Sequence, residues 1–202
     1  MKKLMSLLPV ALFFLTGCNT VDSSDGDYVF LESNQAISQN QLSASYPVPN
    51  NLNQIEQNSD LVIKGKVLGI QSFGEYIEGG DIASTLTEVD VLEVFDGDYN
   101  ESHLVVAEPY RLTDEGVEPV GHYVPLEPEE EYIFFLQDSG EDIWMLNYMG
   151  FGKYHLEKEV LNQSIQSFYT YEEIKAYDFL SDSEANKYSS IREDVFNVYG
   201  NQ

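Results

Sequence analysis

Apolar residues along the chain recur with a period of two over the middle and of three to four near the end, so strands should come first and helices last. Leu61-Val62-Ile63-Lys64-Gly65-Lys66-Val67-Leu68-Gly69-Ile70 reads as a strand, with Ile63, Gly65, Val67 and Gly69 on one side and Lys64 and Lys66 on the other. Two glycines on one face of a strand allow sharp coiling or a close backbone approach, as at the corner of a small barrel. From Thr85 to Phe95, Thr85, Thr87, Val89 and Val91 alternate. The phase then breaks at Leu92-Glu93 and resumes at Val94, which predicts a bulge. Asp96-Gly97-Asp98 predicts a turn. Leu104 to Ala107 is a short apolar strand, and the long segment Glu108 to Pro128 follows as a loop. Glu131-Tyr132-Ile133-Phe134-Phe135-Leu136-Gln137 is apolar on both faces and reads as a central strand. A Ser139-Gly140 turn leads to Ile143–Tyr148, Gly150-Phe151-Gly152 leads to Lys153–Leu156, and a weaker strand begins at Val160.

Helical signals lie at the flanks. Asn50 to Gln57 places Leu52 and Ile55 on one face of a short helix. Thr170-Tyr171-Glu172-Glu173 fits a capping box, in which a hydroxyl accepts an amide and the glutamate reaches back. Ser181-Asp182-Ser183-Glu184 repeats it. The helix that follows carries Tyr188, Ile191, Val195 and Val198 as an apolar stripe and stops at Gly200. The expected fold class is mainly β with C-terminal helices: a small barrel or coiled antiparallel sheet covered by helices.

The N-terminal pattern is different. Met1-Lys2-Lys3 is a basic start, and Leu4 to Leu15 is an apolar run of 12 residues, against the roughly 20 that span a bilayer as a helix. Thr16-Gly17 then leads into Cys18, the only cysteine. The run Leu15-Thr16-Gly17-Cys18 resembles the lipobox of bacterial lipoproteins. That resemblance implies a signal peptide over residues 1–17, cleavage after Gly17 and diacylglyceryl attachment to the Cys18 sulfur. It implies a protein held by lipid on the bacterial cell membrane, facing outside the cytoplasm. The plainer alternative is a free thiol behind an ordinary signal peptide. With Cys18 acylated, no thiol is left for a disulfide, a metal or a nucleophile. Residues 18–47 are rich in Ser, Asn, Gln and Asp, with one apolar island at Tyr28-Val29-Phe30-Leu31. They read as a lipidated flexible tether spanning roughly 30 Å as a coil, although the island is long enough for a small docking strand.

The body carries a second resemblance. Ser59-Asp60-Leu61-Val62-Ile63-Lys64-Gly65-Lys66-Val67, then Val89-Asp90-Val91-Leu92-Glu93-Val94-Phe95-Asp96-Gly97-Asp98, then Glu131-Tyr132-Ile133-Phe134-Phe135-Leu136, then Gly150-Phe151-Gly152-Lys153-Tyr154 is similar to a set of secreted and lipid-anchored bacterial proteins with an OB-like five-stranded barrel. Netrin-like and metalloprotease-inhibitor domains share that barrel. The resemblance implies architecture, not chemistry, over Ser59 to about Leu161. Asp96 stands where a lysine is common in this set. The disulfides and the cysteine-led segment that inhibitor domains wedge into a metalloprotease are absent, so that mechanism does not carry over. Residues 48–168 are thus expected to form the OB-like β domain, and residues 169–202 a helical tail packed on it.

Charge narrows the partners. The chain has 35 Asp and Glu against 10 Lys and Arg. Loss of residues 1–17 would remove Lys2 and Lys3 and no acid, leaving a net charge of −27. Such a balance repels nucleic acid and anionic headgroups. It suits a solvated exported protein, or an acidic face for a basic partner or divalent cations.

Candidate chemistry is sparse. His103, His122 and His155 have no zinc spacing, and the sequence carries no nucleophile elbow, phosphate loop or dinucleotide fingerprint. Asp96-Gly97-Asp98-Tyr99-Asn100 places oxygens like the start of a calcium loop, but Glu101 replaces the required glycine and Ala107 the bidentate glutamate. No cofactor or metal is expected. Aromatic residues are the remaining lead. Tyr110, Tyr123, Tyr148, Phe151 and Trp144 would give stacking area, Arg111 would pair with a partner's carboxylate, and His122 lies beside Tyr123. The same rings could instead fill a barrel that lacks disulfides. The leading expectation is a monomeric, non-enzymatic binding module for a protein or envelope glycan, with membrane contact through the lipid on Cys18 and no nucleic-acid partner. Two other readings stay open: an envelope hydrolase with an acidic catalytic residue, and a calcium-responsive structural lipoprotein.

Overall fold

The computed structural model describes residues 28–39, 46–75, 84–140 and 142–200; Gly17 and Cys18 lie outside them. In chain order the elements are α1 (Leu52–Gln57), β1 (Leu61–Glu75), β2 (Ser84–Asp96), β3 (His103–Glu108), β4 (Tyr110–Thr113), β5 (Gly116–Pro119), β6 (Glu131–Asp138), β7 (Ile143–Leu146), β8 (Lys153–His155), β9 (Glu159–Leu161), α2 (Tyr171–Ile174), β10 (Tyr177–Leu180) and α3 (Ala185–Tyr199).

Five strands close into a barrel in the order β1-β2-β3-β7-β6, with β6 returning to β1. The β3–β7 pair is parallel and the other four are antiparallel. This order is OB-like. β1 makes closure possible because it is long: Leu61–Lys66 pair with β6 on one edge while the strand pairs with β2 along the other. It must coil tightly to do so. A Cβ on Gly65 would lie 2.4 Å from Val89 Cγ1, inside any real contact distance. β2 accommodates the bend with the bulge its pattern predicts: Glu93 pairs with Lys64 and Val91 with Gly65, which leaves Leu92 as the extra residue.

β6 separates two apolar cores. Tyr132, Phe134 and Leu136 face the barrel interior with Leu61, Ile63, Val89 and Val106. Ile133 and Phe135 face outward, where Leu52 and Ile55 of α1 and Tyr188, Ile191 and Val195 of α3 cover them. Burying each such side chain is worth about 1.5–3 kcal/mol. The Thr170 capping box forms as read, with Glu173 accepting the Thr170 amide at 2.9 Å, and the Ser181 signature forms in part, with Ser181 Oγ accepting the Glu184 amide at 2.9 Å. Val198, the last residue of the stripe, stays exposed.

Three segments differ from the sequence reading. Glu108 to Pro128 is not an open loop: β4 and β5 form a hairpin, and Tyr110, Val117, Val120, Tyr123, Val124 and Leu126 plug one end of the barrel. Residues 28–39 are not tether. Val29 and Ile70 exchange backbone hydrogen bonds of 2.8 and 3.2 Å, so the apolar island does dock. Further on, Ile37 is 3% exposed and lies between Tyr169 and Val117, with the Ile37 amide 2.9 Å from the Tyr169 carbonyl and the Ser38 amide 2.8 Å from that of Val117. In the tail, Tyr177–Leu180 is a strand, paired in parallel with β9.

Candidate functional site

The antiparallel β2–β3 and β6–β7 connections both turn at the end of the barrel opposite the plug. The parallel β3–β7 pairing starts only at Val105 and Ile143, so His103 and Leu104 have no partner on that edge. A groove of about 540 Å³ opens there. Trp144 and Tyr99 supply its aromatic surface, and Glu101, Asp138 and Asp142 its carboxylates; His103 completes the wall. The Tyr99 and Trp144 rings meet edge to face, with centroids 5.8 Å apart at 85°. The Tyr99 hydroxyl donates to the His103 carbonyl at 2.5 Å, which pins the ring across the turn. Burial, then the charges of Glu101 and Asp142, push that phenol up from its ordinary value.

Of the residues the sequence offers as a ligand-binding surface, only Trp144 lines this groove. Tyr110, Tyr123 and Phe151 lie in the interior, where their rings fill core rather than offer a stacking face. Tyr110 and Tyr123 stack on each other at 6.3 Å. Arg111 donates from Nε to Glu118 at 2.5 Å across the β4–β5 hairpin. His122 packs against the Phe179 ring at 6.4 Å. Tyr148 lines a second, smaller groove of about 340 Å³ with Met145 and Met149, and its hydroxyl accepts from Asn58 at 2.9 Å. The candidates therefore do not converge. Asp138 and Asp142 are site residues that sequence reasoning missed, while Tyr99, Glu101 and His103 stood there only in a failed calcium-loop pattern and among histidines without zinc spacing. The two predicted turns at Asp96–Asp98 and Ser139-Gly140 were the available signal, but only the β3–β7 pairing brings them together.

A second polar cluster is sealed inside the molecule. Burial pushes the Glu108 carboxyl up to about 7, against the opposing effect of hydrogen bonds and of Lys153. Its oxygens accept from the Leu126 amide at 2.7 Å, the Tyr123 hydroxyl at 2.9 Å and the Thr87 hydroxyl. Lys153, buried between the Tyr123 and Tyr132 rings, lies 3.3 Å from Asp178 Oδ1. Burial lowers the Lys153 ammonium, and the Asp178 charge works against that. Asp178 Oδ2 accepts from the His155 amide at 2.9 Å and the Tyr188 hydroxyl at 2.6 Å. A raised carboxyl is what a general acid needs, yet Glu108 is 0% exposed and its acceptors are occupied. The cluster ties β3, β8, β10 and α3 together. Among the described residues, no group of three or more His, Cys, Asp or Glu is placed to hold a metal ion.

The fold defines the class of the protein: mainly β, built on a closed, OB-like five-stranded barrel with a C-terminal helix packed against it. No protein-family profile matches the chain, and no curated protein sequence matches it.

Proposed function

We propose that the protein is a non-enzymatic binding module, held on the outer face of the bacterial cell membrane by lipid on Cys18, that takes a protein or envelope glycan in the Trp144 groove. One observation carries the binding reading. Of the large aromatics the sequence singles out as a binding surface, most fill the core, while Trp144 lines an open groove beside three carboxylates. Trp144 is partly buried against the barrel core, and tryptophan is enriched among the anchors of binding surfaces, which favour concave sites with a few polar groups. The Leu15-Thr16-Gly17-Cys18 run supports the location, and the acidic balance supports a partner other than nucleic acid. Among the described residues, no helix is long and apolar enough to cross a membrane.

The test combines fractionation with capture. Cys18→Ser should move the protein from the membrane to the soluble fraction. Cross-linking in native envelopes should recover a partner with the unaltered protein and lose it with Trp144→Ala. Equal recovery from both would remove the groove from the reading, and unchanged fractionation of Cys18→Ser would remove the lipid.

A further inference from the structure

The groove's carboxylates differ from the rest of the acidic surface. Among the described residues, Lys64, Lys66, Arg111, Lys153, Lys158, Lys175 and Arg192 each lie within 4.0 Å of a carboxylate. The remaining base, Lys187, reaches the Asn50 carbonyl at 3.0 Å. None of these cations faces the groove. Among the described residues, the Asp138 side chain accepts a local amide, that of Gly140, at 2.7 Å. His103 itself stands between Glu88 at 3.9 Å and Asp90 at 3.7 Å, so the negative field continues along β2.

Resting on the binding reading above, we infer that the groove takes a cationic segment of a partner protein, a run bearing lysine or arginine whose charged head meets Glu101, Asp138 and Asp142 while its stem or guanidinium lies on Trp144. The pieces are complementary. An indole face attracts a cation, long basic side chains lay apolar stems on aromatic surface, and carboxylates lacking an internal cation favour an external one. The field of a chain with net charge −25 steers such a partner toward any of its faces and repels anionic ligands. A neutral glycan would gain the stacking surface but leave the charges unanswered. The carboxylates do not gather into a group of three placed for a metal ion, which favours a ligand whose positive charges are spread along a chain.

Trp144 is the only tryptophan in the sequence, so its fluorescence reports the groove directly. The acylated protein in detergent is titrated with a tryptophan-free pentalysine amide, and in parallel with a neutral chitotetraose. The expected result is a saturating shift with pentalysine that weakens about tenfold or more from low salt to about 0.5 M salt, with chitotetraose silent. Asp138→Asn combined with Asp142→Asn should weaken the peptide about tenfold while leaving the thermal midpoint unchanged. Asparagine keeps the Asp138 acceptor and tolerates the left-handed backbone of Asp142, at φ 60°. No shift with pentalysine at low salt overturns the inference. So does a shift that the double variant leaves intact. A shift with chitotetraose alone overturns the cationic partner and leaves the groove as a binding site. Silence from both probes, with equal partner capture by Trp144→Ala, overturns the groove itself.

Discussion

Gly65 shows how much one side chain decides here. It sits in β1 against Val89 Cγ1 at 2.4 Å, Phe134 Cε2 at 3.2 Å and the Asp90 carbonyl at 3.3 Å from a notional Cβ. Val89 is buried and β-branched, so it has few rotamers to yield with. Gly65→Ala should therefore cost about 1–3 kcal/mol in a denaturant melt. Adding Val89→Ala should recover part of it, so that the double variant is less damaged than the two single effects combined. If the effects simply add, the contact is not the cause. The pair of glycines was readable as a coiling signal. What Gly65 approaches was not, because Val89 and Phe134 are brought to it only by the closed sheet.

Elements differ in how well the sequence announces them. β1, β2 and β6 declare themselves by period, by a phase break or by being apolar on both faces, since each stands between two strands or between two cores. The hairpin β4–β5 does not. Gly116 to Gly121 are buried throughout, so no in-out alternation is left to read. Residues 28–39 are equally hard to read, since half of them are polar and no period runs through them, yet they add three isolated bridges and one core side chain. Ile37 is that side chain. Ile37→Ala should cost about 2–5 kcal/mol in equilibrium unfolding, and the Ser38 and Val117 amides should lose exchange protection ahead of β1 and β6. Stability unchanged within error would mean that this stretch rides on the barrel without contributing to it. The groove was illegible for a related reason: its two turns are about 40 residues apart in sequence and meet only through a parallel pairing, the kind of contact that no local pattern encodes.

At the scale of the whole molecule, acidity and burial meet in Glu108. Its folded carboxyl titrates at about 7 instead of 4.5. Between those values the native state holds a proton that the unfolded chain has released. Stability therefore falls as pH rises through that window and levels off above about 7, by an amount on the order of 3 kcal/mol. Glu108→Gln copies the protonated form, with its oxygen toward the Leu126 amide and its nitrogen toward Thr87. It should match the unaltered protein near pH 4.5 and exceed its stability at pH 7.5, in urea melts run at several pH values. Parallel curves for the two proteins would show that Glu108 carries no such linkage. The other acids contribute their own pH dependence through self-repulsion, which is why the difference between the two proteins is the quantity to follow.

Docking of residues 28–39 also shortens the chain left to act as a tether. On the proposed anchoring, chain available for stand-off runs only from Cys18 to Tyr28, the first docked stretch. At no more than ~3.6 Å per residue that caps the separation at about 35 Å, where 30 free residues would have permitted about 100 Å. So anchored, the barrel would work close against its bilayer, and the proposed partner would have to come down to meet it.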